Sequence, residues 1–265
     1  MMTAMATTIR IASRFCGPPG TANGGYVSGL VAQALPGARA VEVTLRAPTP
    51  LETDLFLTTL DARAELRSQE GALLVEALPI DGLELTLPPP VSFAEAERSS
   101  QRFVGFQHHP YPDCFVCGTD RRETSLVGLR LHPGAIDAAV RPSALAGVGI
   151  AANDEAAPRV VAAPFCPAVD LCDEGGQLRS EQVWAALDCP AWFGASSFLP
   201  DRPKILLGRL AVSLTRRPRA HERCVVTGFA IAREGRRFLC GSALHDESGN
   251  CLAYARSTWI EVKSA

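Results

Sequence analysis

Residues 23–35 read NGGYVSGLVAQAL, and this segment predicts the central helix around which the flanking chain folds. The asparagine and the two glycines open an apolar helical run from Tyr26 to Leu35, which Pro36-Gly37 ends. The run is apolar nearly all round, which indicates a helix enclosed by other elements. A curved antiparallel sheet would enclose it.

Four strand-like segments follow this helix. Residues 41–46 alternate between apolar and polar side chains, which is typical of a half-buried strand. Glu70-Gly71 is a plausible hairpin turn between two of the later segments. The other three strands are predicted at Asp54–Leu60, Ala62–Ser68 and Ala72–Leu78.

The second half of the chain repeats this order. Ser180 opens an apolar run from Val183 to Leu187, and residues 210–215 alternate like residues 41–46. The sequence therefore predicts an α+β chain of two units of one kind, each a curved antiparallel sheet around a central helix. The closing strands are predicted at Cys224–Ala232, Arg237–Asp246 and Cys251–Val262.

The length of 265 residues favours two small domains over one large one. A linker begins at Pro88-Pro89-Pro90 and continues into a short helical stretch, Phe93–Arg102. Residues 138–157 are rich in Ala, Gly, Asn and Asp, so we expect a loop there. The expected divisions are an N-terminal domain over 1–87, a linker over 88–112 and a C-terminal domain over 113–265.

Composition excludes several classes of protein. Hydrophobic residues make up 47%, charged residues 20%, and the net charge is −2, which argues against a polybasic nucleic-acid binder or an acidic disordered chain. No apolar run reaches the ~18 residues needed to span a bilayer, and the N-terminus lacks a signal-peptide pattern. We expect a cytoplasmic protein without nucleic-acid or membrane partners, whose nine cysteines form no disulfide framework.

Three strings resemble the hotdog-fold thioesterase superfamily. Residues 23–35 look like the glycine-pair start of the hotdog central helix. CFVCG at 114–118, followed by GLRL at 128–131, looks like the start of phenylacetate-type thioesterase domains, and ALHDESGNCLA at 243–253 looks like their last hairpin. The resemblance implies two hotdog domains in one chain that hydrolyses an acyl thioester, most often of coenzyme A. We expect no cofactor and a possible homo-oligomer of double-hotdog chains.

The resemblance also implies a carboxylate on one central helix, with backbone N–H groups at a helix N-terminus holding the thioester oxygen. Asp188 lies eight positions after Ser180, the family's spacing, in a run with no other charge. A charge left in an apolar run without a partner is costly, which is a reason to suspect a function. A second interpretation remains open, because Asp188-Cys189-Pro190 also suits the start of a new helical turn with the aspartate as its cap.

The two halves are complementary. The position in the first helix that matches Asp188 is Ala32, followed by Gln33, while Ser180-Glu181 replaces the glycine pair in the second helix. Because hotdog dimers share their active sites between subunits, the resemblance implies one composite site. The mirror-related site, Gln33 against Ser180, would be degenerate.

The composite site is expected to contain a catalytic group and a substrate-binding group of residues. Each group also has a purely structural interpretation. Asn23 can cap its helix, and Trp184 and Trp192 can belong to the core. Arg216 and Arg217 can lie in a solvated turn instead of binding a phosphate. Gly25 or Tyr26 N–H would stabilise the oxyanion. The catalytic group is Asp188, Asn23, Gly24 and Gly25, and the substrate-binding group is Tyr26, Gln33, Trp184, Trp192, Arg216 and Arg217.

Cys114 and Cys117 form a CxxC pair, with His108 and His109 upstream. These four side chains could bind zinc, but the surrounding string matches the metal-free thioesterase start better, so we expect a turn with packed thiols and no metal. Cys189 as a nucleophile would need a base such as His221 or His245.

Three functions compete at this stage. An acyl-CoA hydrolase fits the carboxylate and the glycine pair. A non-catalytic acyl-thioester binder fits the absence of a second acid and a second glycine pair. A hotdog dehydratase is disfavoured, because that chemistry usually pairs a histidine with a carboxylate and no histidine lies near either central helix.

Overall fold

The computed structural model describes residues 6–121, 128–136, 160–197, 199 and 203–262. The loop expected at 138–157 lies outside these residues. The described residues form eleven strands and three α-helices. The strands are β1 Ala6–Arg10, β2 Ala40–Leu45, β3 Asp54–Leu60, β4 Arg63–Arg67, β5 Leu73–Ile80, β6 Gly134–Ala135, β7 Val160–Phe165, β8 Ile205–Leu214, β9 Cys224–Glu234, β10 Arg237–Asp246 and β11 Cys251–Glu261, and the helices are α1 Gly24–Ala32, α2 Phe93–Ser100 and α3 Ser180–Ser196.

All eleven strands belong to one antiparallel sheet, in the order β1-β3-β4-β5-β2-β8-β11-β10-β9-β7-β6. The halves of the chain meet where β2 pairs with β8, with Val43 opposite Leu210. Both of these side chains are fully buried. The sheet is therefore continuous through the middle of the molecule.

The two halves have the same order of elements. In the first half β1 precedes α1 and β2 to β5 follow it, and in the second half β7 precedes α3 and β8 to β11 follow it. An isolated bridge between Cys16 and Ala22 before α1 is repeated by one between Cys172 and Leu178 before α3. The α1 helix packs on β2, β4 and β5, and α3 packs on β9, β10 and β11. The predicted α+β class with two tandem sheet-and-helix units is confirmed.

The segment between the two units packs with the second one. Helix α2 contacts β7 and β9, and β6 pairs with β7. Ser92 begins α2 as its cap, accepting the Glu95 N–H at 3.2 Å. The division at residues 87 and 112 stays a prediction.

Helix α3 continues past the point where the apolar run was expected to end. It runs through Pro190 to Ser196, and nearly every residue in it is buried. Proline removes one backbone donor, which normally breaks a helix. Here α3 is buried on all sides, which keeps its last turns in place. No helix within the described ranges combines the length and the apolar character required to cross a bilayer.

The α1 and α3 helices pack closely because α1 presents glycines to α3. A Cβ added to Gly25 would lie 2.5 Å from the Asp188 Cβ, and one added to Gly29 would lie 2.5 Å from the Glu181 Cα. Contacts this short are possible only without a side chain. The two glycines therefore bring Asp188 to the N-terminus of α1.

Candidate active site

Asp188 lies in the interior of α3 and is 2% exposed. Its Oδ2 accepts hydrogen bonds from the Gly25 N–H at 2.9 Å and from the Asn23 Nδ2 at 2.8 Å. Its Oδ1 is buried and has no hydrogen-bond partner among the described residues. One carboxylate oxygen is thus held by the start of α1, and the other is left without a donor in the part of the chain that the structure describes. The alternative that Asp188 caps a new helical turn is wrong, because the helix is continuous through this position.

The surroundings of Asp188 raise its pKa to about 7. Burial is the largest cause, because it disfavours the charged form, and negative charge on Cys114 acts in the same direction. The hydrogen bonds from Gly25 and Asn23 oppose this shift by stabilising the carboxylate. A carboxyl group with this pKa exchanges protons near neutral pH, which is the requirement for general acid–base catalysis.

Asn23 has two roles at the same point. Its Oδ1 accepts the Tyr26 N–H at 2.9 Å, which caps α1, and its Nδ2 donates to Asp188. The side chain is 2% exposed. Because the amide offers an acceptor and a donor at once, capping and positioning of the carboxylate do not compete.

The two N–H groups expected to bind the thioester oxygen already have partners. The Gly25 N–H donates to Asp188, and the Tyr26 N–H donates to Asn23. The Gly24 N–H, at the first position of α1, makes no hydrogen bond to any described residue. Gly24 is half-buried, so this donor is the available one at the positive end of the helix.

Among the described residues, no carboxylate occupies the position on α1 that matches Asp188 on α3. Ala32 occupies the position that matches Asp188 and is buried. The Gln33 Nε2 donates to the Glu181 Oε2 at 2.9 Å. Gln33 thus contacts the residue after Ser180 in an amide–carboxylate pair.

The aromatic residues predicted to bind substrate lie in two places. Tyr26 stacks on Phe15 with ring centroids 4.0 Å apart, and burial is the main cause that raises the pKa of its hydroxyl. Trp184 lies at the α1–α3 contact. Trp192 belongs to a separate core cluster, with its ring edge against Phe238 at 5.2 Å. Tyr26 lies on α1 and Trp184 on α3 at the contact between the two helices, whereas Trp192, also on α3, packs in the separate cluster.

Arg216 and Arg217 follow β8, and each forms an ion pair. Arg216 contacts Glu222 at 2.6 Å, and Arg217 contacts Asp173 at 2.7 Å. A coenzyme A phosphate would have to displace a carboxylate from either guanidinium group. Their role in phosphate binding stays a prediction.

The structure adds three thiols to the surroundings of Asp188. The Sγ atoms of Cys114, Cys117 and Cys189 lie within 4.8 Å of one another, and Cys114 and Cys189 are 3.8 Å apart. The neighbouring thiols and burial raise the pKa of Cys189 well above its usual value, which disfavours a thiolate nucleophile. His109 accepts the Tyr111 N–H at its Nδ1. Sequence reasoning missed this cluster, because no local pattern links Cys189 to the CxxC pair.

No protein-family model and no curated protein matches this chain. Its two sheet-and-helix units in one continuous sheet form a double-hotdog fold, which confirms the predicted fold. A hotdog-fold protein of unknown function from Alicyclobacillus acidocaldarius matches with a TM-score of 0.56 and 13% identity, over 98% of this chain and 94% of that one.

Two further solved structures show the same likeness. A tesB protein of Mycobacterium avium subsp. paratuberculosis matches with a TM-score of 0.59 and 11% identity, over 97% of this chain and 93% of that one. An acyl-CoA thioesterase II of Mycobacterium marinum matches with a TM-score of 0.57 and 12% identity, over 98% and 94% of the two chains. Identities this low establish the shared fold.

Proposed function

We propose that this protein hydrolyses acyl-CoA or a related acyl thioester, at one composite site between its two hotdog domains. The observation that carries the proposal is the Asp188 carboxyl group, buried between the halves with Oδ2 held by Asn23 and Gly25 and Oδ1 free. The name of the similarly folded acyl-CoA thioesterase II of Mycobacterium marinum supports the reaction class.

Two residues carry the chemistry in this proposal. The ionised Asp188 Oδ1 takes a proton from water as the water attacks the thioester carbonyl carbon, or attacks that carbon itself. The Gly24 N–H at the start of α1 donates to the developing oxyanion, where the helix terminus supplies positive partial charge. The thiolate leaves as the carbon–sulfur bond breaks, and in the water route it receives the proton held by Asp188. In the direct route water then attacks the acyl carbon of the mixed anhydride formed with Asp188, the bond from that carbon to the Asp188 oxygen breaks, and a proton of the water goes to the thiolate.

A non-catalytic acyl-thioester binder is the second candidate. The observation that favours it is that the Gly25 and Tyr26 N–H groups are occupied by side chains within the protein. Such a binder would show ligand-induced thermal stabilisation without turnover.

The experiment is release of free thiol from a panel of short, long and aromatic acyl-CoA substrates. The account expects hydrolysis of at least one substrate, and a drop of at least ~100-fold in Asp188→Asn, the usual scale for loss of an acid–base group. Asp54→Asn, at an exposed position at the start of β3, is the matched control and should keep full activity. A folded wild-type protein that releases no thiol from any substrate would exclude the hydrolase. A melting shift by the same substrates, unchanged in Asp188→Asn, would then favour the binder.

A further inference from the structure

Three buried thiols meet at one point from two distant segments. Cys114 and Cys117 lie in the loop before β6, and Cys189 lies in α3 beside Asp188. The three residues are between 3% and 8% exposed. In a tetrahedral zinc site with Zn–S bonds of about 2.3 Å, neighbouring sulfurs are about 3.8 Å apart. The Cys114–Cys189 separation of 3.8 Å has this value, and the third sulfur is close to both.

The loop that carries Cys114 and Cys117 folds into a tight turn. The Gly118 N–H donates to the Cys114 carbonyl at 2.9 Å, and a Cβ on Gly118 would lie 2.4 Å from the Pro112 carbonyl oxygen. The turn holds the sulfurs of Cys114 and Cys117 within 4.8 Å of each other.

Further polar groups surround the thiols. The Asn23 Nδ2 lies 3.9 Å from the sulfurs of both Cys114 and Cys189, where it can donate to metal-bound thiolates. The cluster itself supplies three ligands, so the fourth position of a tetrahedral site would take water.

We propose that Cys114, Cys117 and Cys189 bind a zinc ion that ties the 112–118 loop to α3. Three soft thiolates in a closed, buried cluster select zinc over harder divalent ions. Each thiol releases its proton to solvent when it binds the ion. The site replaces the expectation of two packed thiols and no metal, and it does not depend on the proposed hydrolase activity.

The test begins with metal content. The full chain is purified with reductant, dialysed against metal-free buffer and measured by plasma mass spectrometry, and the expected result is one zinc ion per chain. Replacement of zinc by Co²⁺ should give a sulfur-to-cobalt charge-transfer band in the near ultraviolet and the intense visible bands of a tetrahedral site. The cobalt spectrum reports thiolate ligation in the wild-type protein, so it needs no variant to fold.

The variants identify the ligands. Cys114→Ala, Cys117→Ala and Cys189→Ala should each lose the zinc and the charge-transfer band. Cys240→Ala removes an equally buried thiol from the Trp192 cluster and should keep both. The proposal is overturned by a folded wild-type protein with reduced thiols that takes up neither zinc nor cobalt. It is equally overturned if the cysteine variants retain their zinc, or if metal-free protein is isolated with Cys114 and Cys189 joined as a disulfide.

Discussion

Asp188 is an unfavourable residue for the fold and a useful one for chemistry. Two hydrogen bonds to Oδ2 stabilise its charge, yet burial outweighs them and its pKa is raised to about 7. The folded state therefore holds the proton more tightly than the unfolded chain does. In consequence, the ionisation that makes this group a base also destabilises the protein.

Replacing Asp188 by asparagine should stabilise the protein at high pH. Because the folded pKa lies above the unfolded value, the wild-type free energy of unfolding falls as pH rises towards about 7, by at most about 4 kcal/mol. Asp188→Asn has no ionisable group at this position, so its free energy of unfolding does not fall in this way as pH rises. Thermal melting should show little difference near pH 4 and a growing advantage of the variant up to about pH 8. A constant difference across this range would contradict the raised pKa.

At the scale of elements, the contact between α1 and α3 positions the site. Gly25 and Gly29 are one helical turn apart and face the same helix. Only Gly25 also holds Asp188, through its N–H. The close contact thus serves packing at both glycines and also holds the Asp188 carboxylate at Gly25.

Alanine substitutions at Gly25 and Gly29 distinguish helix packing from the positioning of Asp188. Gly25→Ala and Gly29→Ala should each cost about 1–3 kcal/mol, because the new methyl group meets α3 in a packed core. Gly82→Ala has open space around its Cβ and should not destabilise the protein. Urea unfolding measures the loss, and Gly25→Ala should also lose more activity than Gly29→Ala. A Gly25→Ala variant as stable and active as wild type would show that the helices are not in close contact.

The elements that sequence patterns predicted are those with a local signal. Residues 54–60 come after the proline-containing turn at 48–50 and residues 237–246 follow a glycine turn, and both segments are strands with the predicted bounds. β7, Val160–Phe165, was missed because its short apolar run contains a proline and lacks alternation. The extension of α3 past Pro190 was missed because a local proline rule cannot include the burial that sustains the helix.

Only the part of the candidate site that follows from the internal repeat could be predicted from the sequence. Matching Ser180 to Gly24 aligned the two helices and indicated that Asp188 faces Asn23 and Gly25, a pairing that the structure contains. The cysteine cluster had no such guide, because Cys114 and Cys189 are 75 residues apart and belong to different elements. Which N–H groups are occupied likewise depends on side-chain orientations that a sequence does not specify.

At the scale of the whole molecule, the two hotdog units share one sheet and one pair of packed helices. The β2–β8 junction and the α1–α3 contact both cross between the units. The hydrogen bonds from Asn23 and Gly25 to Asp188 join the first unit to the second and require the α1–α3 contact. Folding of the two halves is therefore expected to be coupled.

Coupling predicts a single unfolding transition. All three tryptophans, Trp184, Trp192 and Trp259, lie in the second unit, so their fluorescence reports that unit alone. Far-ultraviolet circular dichroism reports the backbone of both units. The two signals should give the same urea midpoint, as a cooperative two-state protein does. Separate midpoints would mean that the units unfold independently.

The most direct test of the central claim is the pH dependence of kcat/KM for acyl-CoA hydrolysis in wild type and Asp188→Asn. The free-enzyme profile reports the pKa of the essential base. Since Asp188 acts in its ionised form, wild-type activity should rise with pH, reach half its plateau near pH 7 and stay constant above, matching the raised pKa. Asp188→Asn should lose this rise and lie at least ~100-fold below the plateau. A variant that keeps both the wild-type rate and the wild-type pH profile would contradict the account.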